Sequence, residues 1–201
     1  IPAAPALFGP DGALIAHRMG AAAASLVCSS LRPTEVFDAH VQLARSRRYG
    51  TEIAERVPQL SQTVGELLET LTTLHAGVGS RPLRPIHGGL HAHQWLADGA
   101  SLALVDFDRF SLGDPELDVA TFLGELDFES DLQVPAERLA QAFLSSYESI
   151  SGPLDRQLLH AYRVHKRLAK TLRTARAIRP DSDRRAARHL RRACDALQEV
   201  V

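Results

Sequence analysis

The 201-residue sequence contains little of what a disulfide-stabilised or membrane-spanning protein needs. Its only two cysteines, Cys28 and Cys194, are isolated and lack the close spacing of metal-ligand pairs. This cysteine usage excludes a disulfide framework and predicts a protein of the reducing cytoplasm. No apolar run approaches the roughly 20 residues that cross a bilayer. The Ala-rich stretch at 21–27 is too short, so we expect no membrane segment.

The composition is that of a globular protein, and its charge is distributed unevenly. Hydrophobic residues make up 45% of the chain and charged residues 23%, enough to bury one good core. Residues 1–150 carry 10 Lys and Arg against 19 Asp and Glu, whereas residues 151–201 carry 13 against 5. The basic C-terminal quarter either solvates its helices or attracts phosphates or an acidic partner. A protein partner docked on helices 154–199 is therefore one alternative, and no nucleic-acid partner is expected.

Apolar periodicity and turn signals predict a mostly helical α+β protein. A Gly-Pro-Asp-Gly turn at 9–12 predicts a short β-hairpin over 6–19. Short strands are expected at 85–86, 94–97 and 102–107, with a turn at Asp98-Gly99 joining the last two. The predicted helices cover 33–50, 57–77, 115–126, 135–149, 154–177 and 182–199.

Three short motifs follow one another in the middle of the chain. They are HGGLHAHQ at 87–94, LVDFD at 104–108 and GDPELDVA at 113–120. Each motif alone is weak evidence, but the three together, in this order and spacing, are specific. The last motif places Asp114-Pro115 at a helix start, as an N-cap followed by proline.

These motifs resemble those of the aminoglycoside phosphotransferase and choline kinase families, which are relatives of the protein kinases. In such families a catalytic loop H-x-D-x-x-x-x-N precedes a hairpin, a strand ending in I-D-[FW], and a helix opened by G-D-P-x-x-D-[LV]-A. His87 matches the loop histidine, Gly89 the catalytic aspartate, Gln94 the asparagine and Asp106 the metal-binding aspartate. The resemblance is clear from about 86 to 120.

The resemblance implies the larger, C-terminal lobe of a kinase-like phosphotransferase. Residues 1–20 are then expected to be the last hairpin of the small lobe and the hinge, and residues 21–201 the helical lobe. Ala16, His17 and Met19 would meet the adenine at this hinge. The phosphate-gripping lysine of the small lobe has no match here. Either the rest of that lobe lies on residues outside this sequence or the protein never makes it, and we expect the first because the sequence starts at Ile1.

The resemblance also implies the chemistry. Mg²⁺ would be held by Gln94 and Asp106 and would bridge the phosphates of ATP or GTP, since phosphoryl transfer depends on positioning and charge neutralisation. The phosphate would pass to a hydroxyl of a small molecule or of a peptide Ser or Thr. The acidic first three-quarters of the chain would suit a cationic acceptor such as an aminoglycoside.

Gly89 is the main departure from the family pattern, because a glycine cannot accept the proton of the acceptor hydroxyl. Three explanations remain open. The protein is a pseudokinase that binds nucleotide or partner without turnover, it is an impaired enzyme, or a neighbouring group such as His91 or His93 replaces the missing base. Of the loop histidines, His87 is expected to pack inward and hydrogen-bond the backbone beside Asp106.

Overall fold

The structure, a computed structural model, describes residues 1–79, 81–99, 101–127, 129, 132–177 and 180–198. Within these ranges the chain forms eight α-helices and five short strands, which confirms the predicted mostly helical α+β class. The helices are α1 (Ala4–Phe8), α2 (Gly12–Val27), α3 (Ala39–Arg56), α4 (Ser61–Gly77), α5 (Pro115–Leu126), α6 (Ala136–Ser151), α7 (Arg156–Arg176) and α8 (Ser182–Gln198). The strands are β1 (Val36–Phe37), β2 (Arg84–Ile86), β3 (Trp95–Asp98), β4 (Ser101–Leu104) and β5 (Ser111–Gly113).

The N-terminal segment corrects the sequence prediction, because it is helical where a hairpin was expected. The turn at 9–12 separates α1 from α2, and Pro5 lies in the first turn of α1, where a proline costs no hydrogen bond. The expected boundary at residue 20 falls inside α2. A second correction concerns α3, which begins at Ala39 instead of residue 33, since the side chain of Asp38 caps it by accepting from the Val41 N–H at 3.0 Å.

The chain divides into two compact units. The first comprises residues 1–36 and 83–154, and the second residues 37–82 and 155–201. Each unit is formed by two segments that are distant in sequence. All three motifs of the central region belong to the first unit.

The strands of the first unit are short and position the central motifs. Strands β3 and β4 form a two-stranded antiparallel hairpin with Trp95 opposite Leu104, and Gly99 adopts a φ of +53° in its turn. This confirms the predicted hairpin and its turn, although the second strand ends at Leu104, whereas the prediction extended it to residue 107. In the second sheet, ordered β1-β5-β2, β5 pairs antiparallel with β2 and leads directly into α5.

Helices α2 and α6 pack closely in the first unit because glycine lies at their contact. A Cβ atom on Gly20 would lie 2.3 Å from the carbonyl oxygen of Phe143, a distance that no side chain tolerates. On the other side of α6, the Phe143 ring stacks on Phe122 with centroids 4.2 Å apart. Both rings are fully buried, so this aromatic stack forms the centre of the unit's core.

The second unit buries an aliphatic core between α3, α4, α7 and α8, with one polar chain inside it. Gln42 Nε2 donates to Ser46 Oγ at 3.1 Å, and Ser46 Oγ lies 2.7 Å from His165 Nδ1. On its other side, His165 Nε2 lies 2.9 Å from His75 Nε2. Burial, and then the charges of His75 and Lys166, lower the pKa of His165 well below its usual range. The chain of donors is therefore built for a neutral His165.

Among the described residues, no helix combines the length and the hydropathy that crossing a bilayer requires.

Candidate active site

The central loop, residues 87–94, begins at the end of β2 with His87, whose ring is buried. His87 Nε2 lies 3.0 Å from the carbonyl oxygen of Val105, so this nitrogen carries the proton and donates it. The ring also meets the edge of Phe107, with centroids 4.8 Å apart. The predicted inward packing of His87 is confirmed. Its imidazole anchors the loop to the segment before Asp106, which is a positioning role.

Asp118, in the first turns of α5, holds the start of the loop. Its two carboxylate oxygens accept from the backbone N–H groups of His87 at 2.6 Å and Gly88 at 2.9 Å. Gly88 has a φ of +79°, and a Cβ there would lie 2.3 Å from the carbonyl oxygen of Arg109. Only glycine fits both the backbone conformation and the space. The buried carboxylate and the glycine together set the path of the loop.

Glu125, seven residues further along α5, holds the second half of the loop. Its carboxylate lies 2.7 Å from His91 Nδ1 and accepts from the Ala92 N–H at 2.6 Å. Burial acts to raise the pKa of Glu125, but the hydrogen bonds from His91 and from the Ala92 amide outweigh it and lower this pKa below its usual value. Glu125 is therefore ionised at neutral pH, and His91 Nδ1 carries a proton towards it.

Gln94 and Asp106 meet at the end of the loop. Gln94 Oε1 accepts from the His91 N–H at 3.0 Å, and Gln94 Nε2 donates to Asp106 Oδ2 at 2.7 Å. Asp106 adopts a φ of +69°, a left-handed conformation that aspartate tolerates better than most residues. The two side chains that the sequence placed at one site thus lie in contact. Gln94 presents its amide nitrogen, and not its oxygen, to the carboxylate.

Gly89 has an ordinary backbone conformation and open space beside it. A Cβ there would lie 3.8 Å from His91 Cδ2, 3.9 Å from His91 Nε2 and 3.9 Å from Arg109 Cδ, all normal van der Waals distances. A Cβ atom at this position therefore meets no close contact, in contrast to one at Gly88. Two basic groups, an imidazole and a guanidinium stem, flank the place that a catalytic carboxylate would occupy.

One carboxylate of this site, that of Asp106, is suited to bind Mg²⁺. Asp106 is exposed and can turn an oxygen towards a metal, and Mg²⁺ in phosphate-binding sites is held by one or two carboxylates together with water and the substrate phosphates. The oxygen of Gln94 already accepts from a backbone N–H, so binding metal through it requires the amide to turn. No cluster of three His, Cys, Asp or Glu suited to a metal occurs in the part of the chain that the structure describes.

The predicted hinge residues do not form the hairpin edge that the sequence predicted. Ala16, His17 and Met19 lie within α2, and Ala16 and Met19 are fully buried. The backbone N–H and C=O groups inside a helix bond one another, so a hinge made by the edge of a hairpin has no counterpart here. The assignment of these residues to adenine depended on that hairpin.

Sequence reasoning missed Glu125, although a signal for it exists. Asp118 and Glu125 are seven residues apart on α5, which places them on one face of the helix two turns apart. A loop running along that face meets both carboxylates. His93 was a second candidate for the missing base, but it is exposed and its ring contacts Phe8, with centroids 6.1 Å apart.

Solved structures with the same fold include several small-molecule kinases. A choline kinase of Streptococcus pneumoniae aligns with a TM-score of 0.68 at 18% identity, covering 94% of this chain and 65% of that one. A glucosamine kinase aligns at 0.66 and 21%, covering 94% and 54%, and a type VIII aminoglycoside-3'-phosphotransferase at 0.61 and 23%, covering 78% and 60%. The chain thus spans between about half and two thirds of these proteins.

At these identities the likeness shows a shared kinase-like fold. No curated protein matches the chain in sequence. The model of the phosphotransferase enzyme family matches residues 13–154, a segment that is more than half of the chain and includes the loop, Asp106 and the two α5 carboxylates that hold the loop. The chain therefore belongs to the phosphotransferase enzyme family.

Proposed function

We propose that this protein transfers a phosphoryl group from a nucleoside triphosphate to a hydroxyl of a small molecule. The observation that carries the proposal is the contact between Gln94 and Asp106 at 2.7 Å, at the end of a loop that two carboxylates of α5 hold in place. Phosphoryl transfer needs a rigid, charged frame more than it needs covalent help. This loop supplies such a frame.

Asp106 would hold Mg²⁺, and Gln94 would either orient Asp106 or turn its amide oxygen to the metal as a second ligand. Bound Mg²⁺ would supply charge neutralisation of the nucleotide phosphates. Neighbours of the same fold were solved with ADP or AMP, which favours an adenine nucleotide as the donor, with GTP as the alternative to test. The two residues named here are the family's metal-binding positions in this chain.

His91 would accept the proton that the missing carboxylate cannot take. Its Nδ1 donates to the ionised Glu125, so in the neutral ring it is Nε2 that carries the lone pair. Nε2 lies 3.9 Å from where the Cβ of residue 89 would be, and it has no hydrogen-bond partner among the described residues. A carboxylate that fixes the tautomer of a histidine base is a recurring catalytic arrangement.

The proposed phosphoryl transfer exchanges one bond to phosphorus for another. The oxygen of the acceptor hydroxyl forms a bond to the γ-phosphorus, while the bond from that phosphorus to the oxygen bridging the β- and γ-phosphates breaks. The nucleoside diphosphate leaves with the electron pair of the broken bond. The hydroxyl proton passes to His91 Nε2, whose other nitrogen stays bonded to Glu125, and it is later released to water.

The class of acceptor follows from charge and from the neighbours. Residues 1–150 are acidic, with 19 Asp and Glu against 10 Lys and Arg, which favours a cationic acceptor. Choline, glucosamine and aminoglycosides, named in the neighbouring enzymes, are the first compounds to test, with a Ser- or Thr-containing peptide as a further class. Two free cysteines suit an enzyme of the reducing cytoplasm.

The decisive experiment compares two backgrounds in an assay of nucleotide-dependent phosphorylation of these acceptors. Gly89→Asp should raise the rate by about 10²-fold or more, the usual contribution of a general base. His91→Gln should remove most of the activity of the unmodified protein. The same change should have little effect on the Gly89→Asp variant, because the new carboxylate then accepts the proton.

Two controls make this result specific. His93→Gln removes a neighbouring loop histidine whose ring contacts Phe8, and it should leave both backgrounds unchanged. Asp106→Asn should abolish activity in both. Equal losses from His91→Gln in the two backgrounds would mean that His91 only positions the loop. Failure of Gly89→Asp to phosphorylate any acceptor would remove the catalytic proposal.

The absence of a carboxylate at residue 89 favours one alternative, a nucleotide-binding pseudokinase. It predicts that Mg²⁺-ATP raises the melting temperature of the unmodified protein and not that of Asp106→Asn, while no variant gains activity. No stabilisation in either protein would contradict both the enzyme and the binding module, since both place the nucleotide phosphates at Asp106.

A further inference from the structure

A small basic cavity lies on α8, in the unit that does not contain the central loop. It has a volume of about 230 Å³ and is lined by Asp181, Arg185, Arg188, His189 and Arg192. Asp181 precedes the helix, and the other four residues lie on one face of α8, because positions 185, 188, 189 and 192 recur at spacings of three and four residues. Three guanidinium groups therefore converge on one concavity.

The charges of this cavity are poorly balanced. Asp181 is its one carboxylate and lies 3.9 Å from Arg185, in a pair that is about half exposed. Within the described ranges, neither Arg188 nor Arg192 pairs with a carboxylate. Solvent-exposed pairs such as that of Arg185 contribute little, so most of the positive charge remains uncompensated.

The histidine of the cavity is surrounded by positive charges. Burial lowers the pKa of His189, and the positive charges of Lys170 on α7 and of Arg192, Arg185 and Arg188 on α8 lower it further. Burial also lowers the pKa of Lys170, together with the charges of Arg173 and Arg185. Cations from two helices thus act on one point, where an anion would be stabilised.

We infer that this cavity binds a small oligophosphate, either free or as the phosphate tail of a nucleotide. Guanidinium groups match the oxygens of phosphate in pairs, and arginine is the usual residue where phosphate is recognised. The cavity is smaller than the ~300–1,000 Å³ of pockets for drug-sized ligands, so the ligand is small. Arg185 and Arg192 are about 10 Å apart along the helix axis, which a chain of phosphates spans better than one phosphate does.

The inference does not rest on the proposed function, because every residue it uses lies on α7, on α8 or directly before α8. It also differs from a simple solvated helix face in a testable way. Arg184 and Arg191 lie on the same helix, are exposed, and do not line the cavity. They give matched controls with the same change of charge and the same helix.

The test is calorimetric titration of the complete protein with tripolyphosphate, pyrophosphate and phosphate at constant ionic strength and without Mg²⁺. Affinity should fall in that order. Arg188→Gln and Arg192→Gln should each weaken tripolyphosphate binding about tenfold, the effect of losing a charge-assisted hydrogen bond. Arg184→Gln and Arg191→Gln should change it less than about twofold, since exposed charges are screened by salt.

Nuclear magnetic resonance of the His189 ring supplies a second measurement. Bound tripolyphosphate offsets the surrounding cations, so it should raise the pKa of His189, and binding should be tighter at lower pH. If ATP shifts the His189 signals as strongly as tripolyphosphate does, the ligand is the phosphate tail of a nucleotide. If only tripolyphosphate shifts them, the ligand is a free oligophosphate.

Three outcomes would overturn the inference. The first is equal weakening by the cavity and control variants, which indicates a diffuse basic surface. The second is an unchanged His189 signal at saturating tripolyphosphate. The third is tighter binding of a polyglutamate peptide of matched charge that also needs Arg188, which indicates a protein partner.

Discussion

The two units of the molecule both bury polar networks, but the networks differ in charge and in what they hold. In the first unit the carboxylates of Asp118 and Glu125 accept from backbone N–H groups of the central loop. In the second unit, uncharged side chains and two histidines bond in sequence, from Gln42 through Ser46 and His165 to His75, and no carboxylate takes part in these contacts.

The first network positions a loop, whereas the second packs helices against one another. A hydrogen bond to an ionised acceptor is stronger than one between neutral groups, and a backbone held by two such acceptors keeps its path. Such a loop can present Gln94 and Asp106 at a constant distance. A network of side chains inside a helical core, with a neutral His165 at its centre, joins helices without fixing a loop.

Asp118→Ala should break the first network and have the largest effect. It leaves two buried N–H groups without acceptors, each costing about 1–3 kcal/mol, so we expect a loss of about 3 kcal/mol or more in the free energy of unfolding. Trp95, the single tryptophan, is buried in the same unit and its fluorescence reports the transition. Asp38→Ala removes the exposed N-cap of α3 and should cost only about 1 kcal/mol. Similar losses from the two changes would contradict the role given to Asp118.

Gly88→Ala should disturb the same loop by a smaller amount. Its φ of +79° and the 2.3 Å approach of a Cβ to the Arg109 carbonyl predict a cost of about 1–3 kcal/mol. Gly89→Ala, one residue away, meets only normal contacts and should change stability by less than about 0.5 kcal/mol. Urea unfolding of both variants measures the difference in the free energy of unfolding. A larger loss from Gly89→Ala than from Gly88→Ala would contradict the backbone conformation described for the loop.

Acidification should weaken the second network and leave the first intact until the carboxylates protonate. The pKa of His165 is lowered by folding, so the unfolded chain binds more protons below about pH 6.5, the ordinary histidine value. The contribution of neutral His165 to the free energy of unfolding should therefore be complete above this pH. Below it, the free energy of unfolding should fall by about 1.4 kcal/mol per pH unit until the folded-state pKa is reached. His165→Gln should flatten this slope in unfolding measurements between pH 7.5 and 5. His40→Gln, a change at an exposed histidine of the same unit, should leave the slope as it is; equal slopes in all three proteins would contradict the prediction.

Much of the fold could be predicted from the sequence where the signals are local. Helix α5 begins at Pro115 and ends at Leu126, as predicted, because Asp114-Pro115 marks its start within the chain itself. The convergence of Gln94 and Asp106 was also predictable. Because the hairpin pairs Trp95 with Leu104 at its open end, the residues that come just before the first strand and just after the second lie close together.

The N-terminal prediction failed because a turn signal does not specify what it joins. The residues at 9–12 indicate a turn, but strands and short helices both use one. Gly20 and its alanine neighbours become a helix because the face they form packs closely on α6, with the Phe143 backbone against Gly20. That contact joins segments more than a hundred residues apart and cannot be read from a local pattern, although the alanines at 21–24 themselves favour a helix.

By itself, the sequence determined the helices after residue 115, the kinase-like motifs and the missing carboxylate at residue 89, since each depends on residues adjacent in the chain. Only the tertiary structure decided that Glu125 orients His91, that residue 89 has room for a side chain, and that three arginines of α8 line one cavity. These facts depend on distances between atoms far apart in sequence. Packing sets such distances, and no periodicity of a single segment contains them.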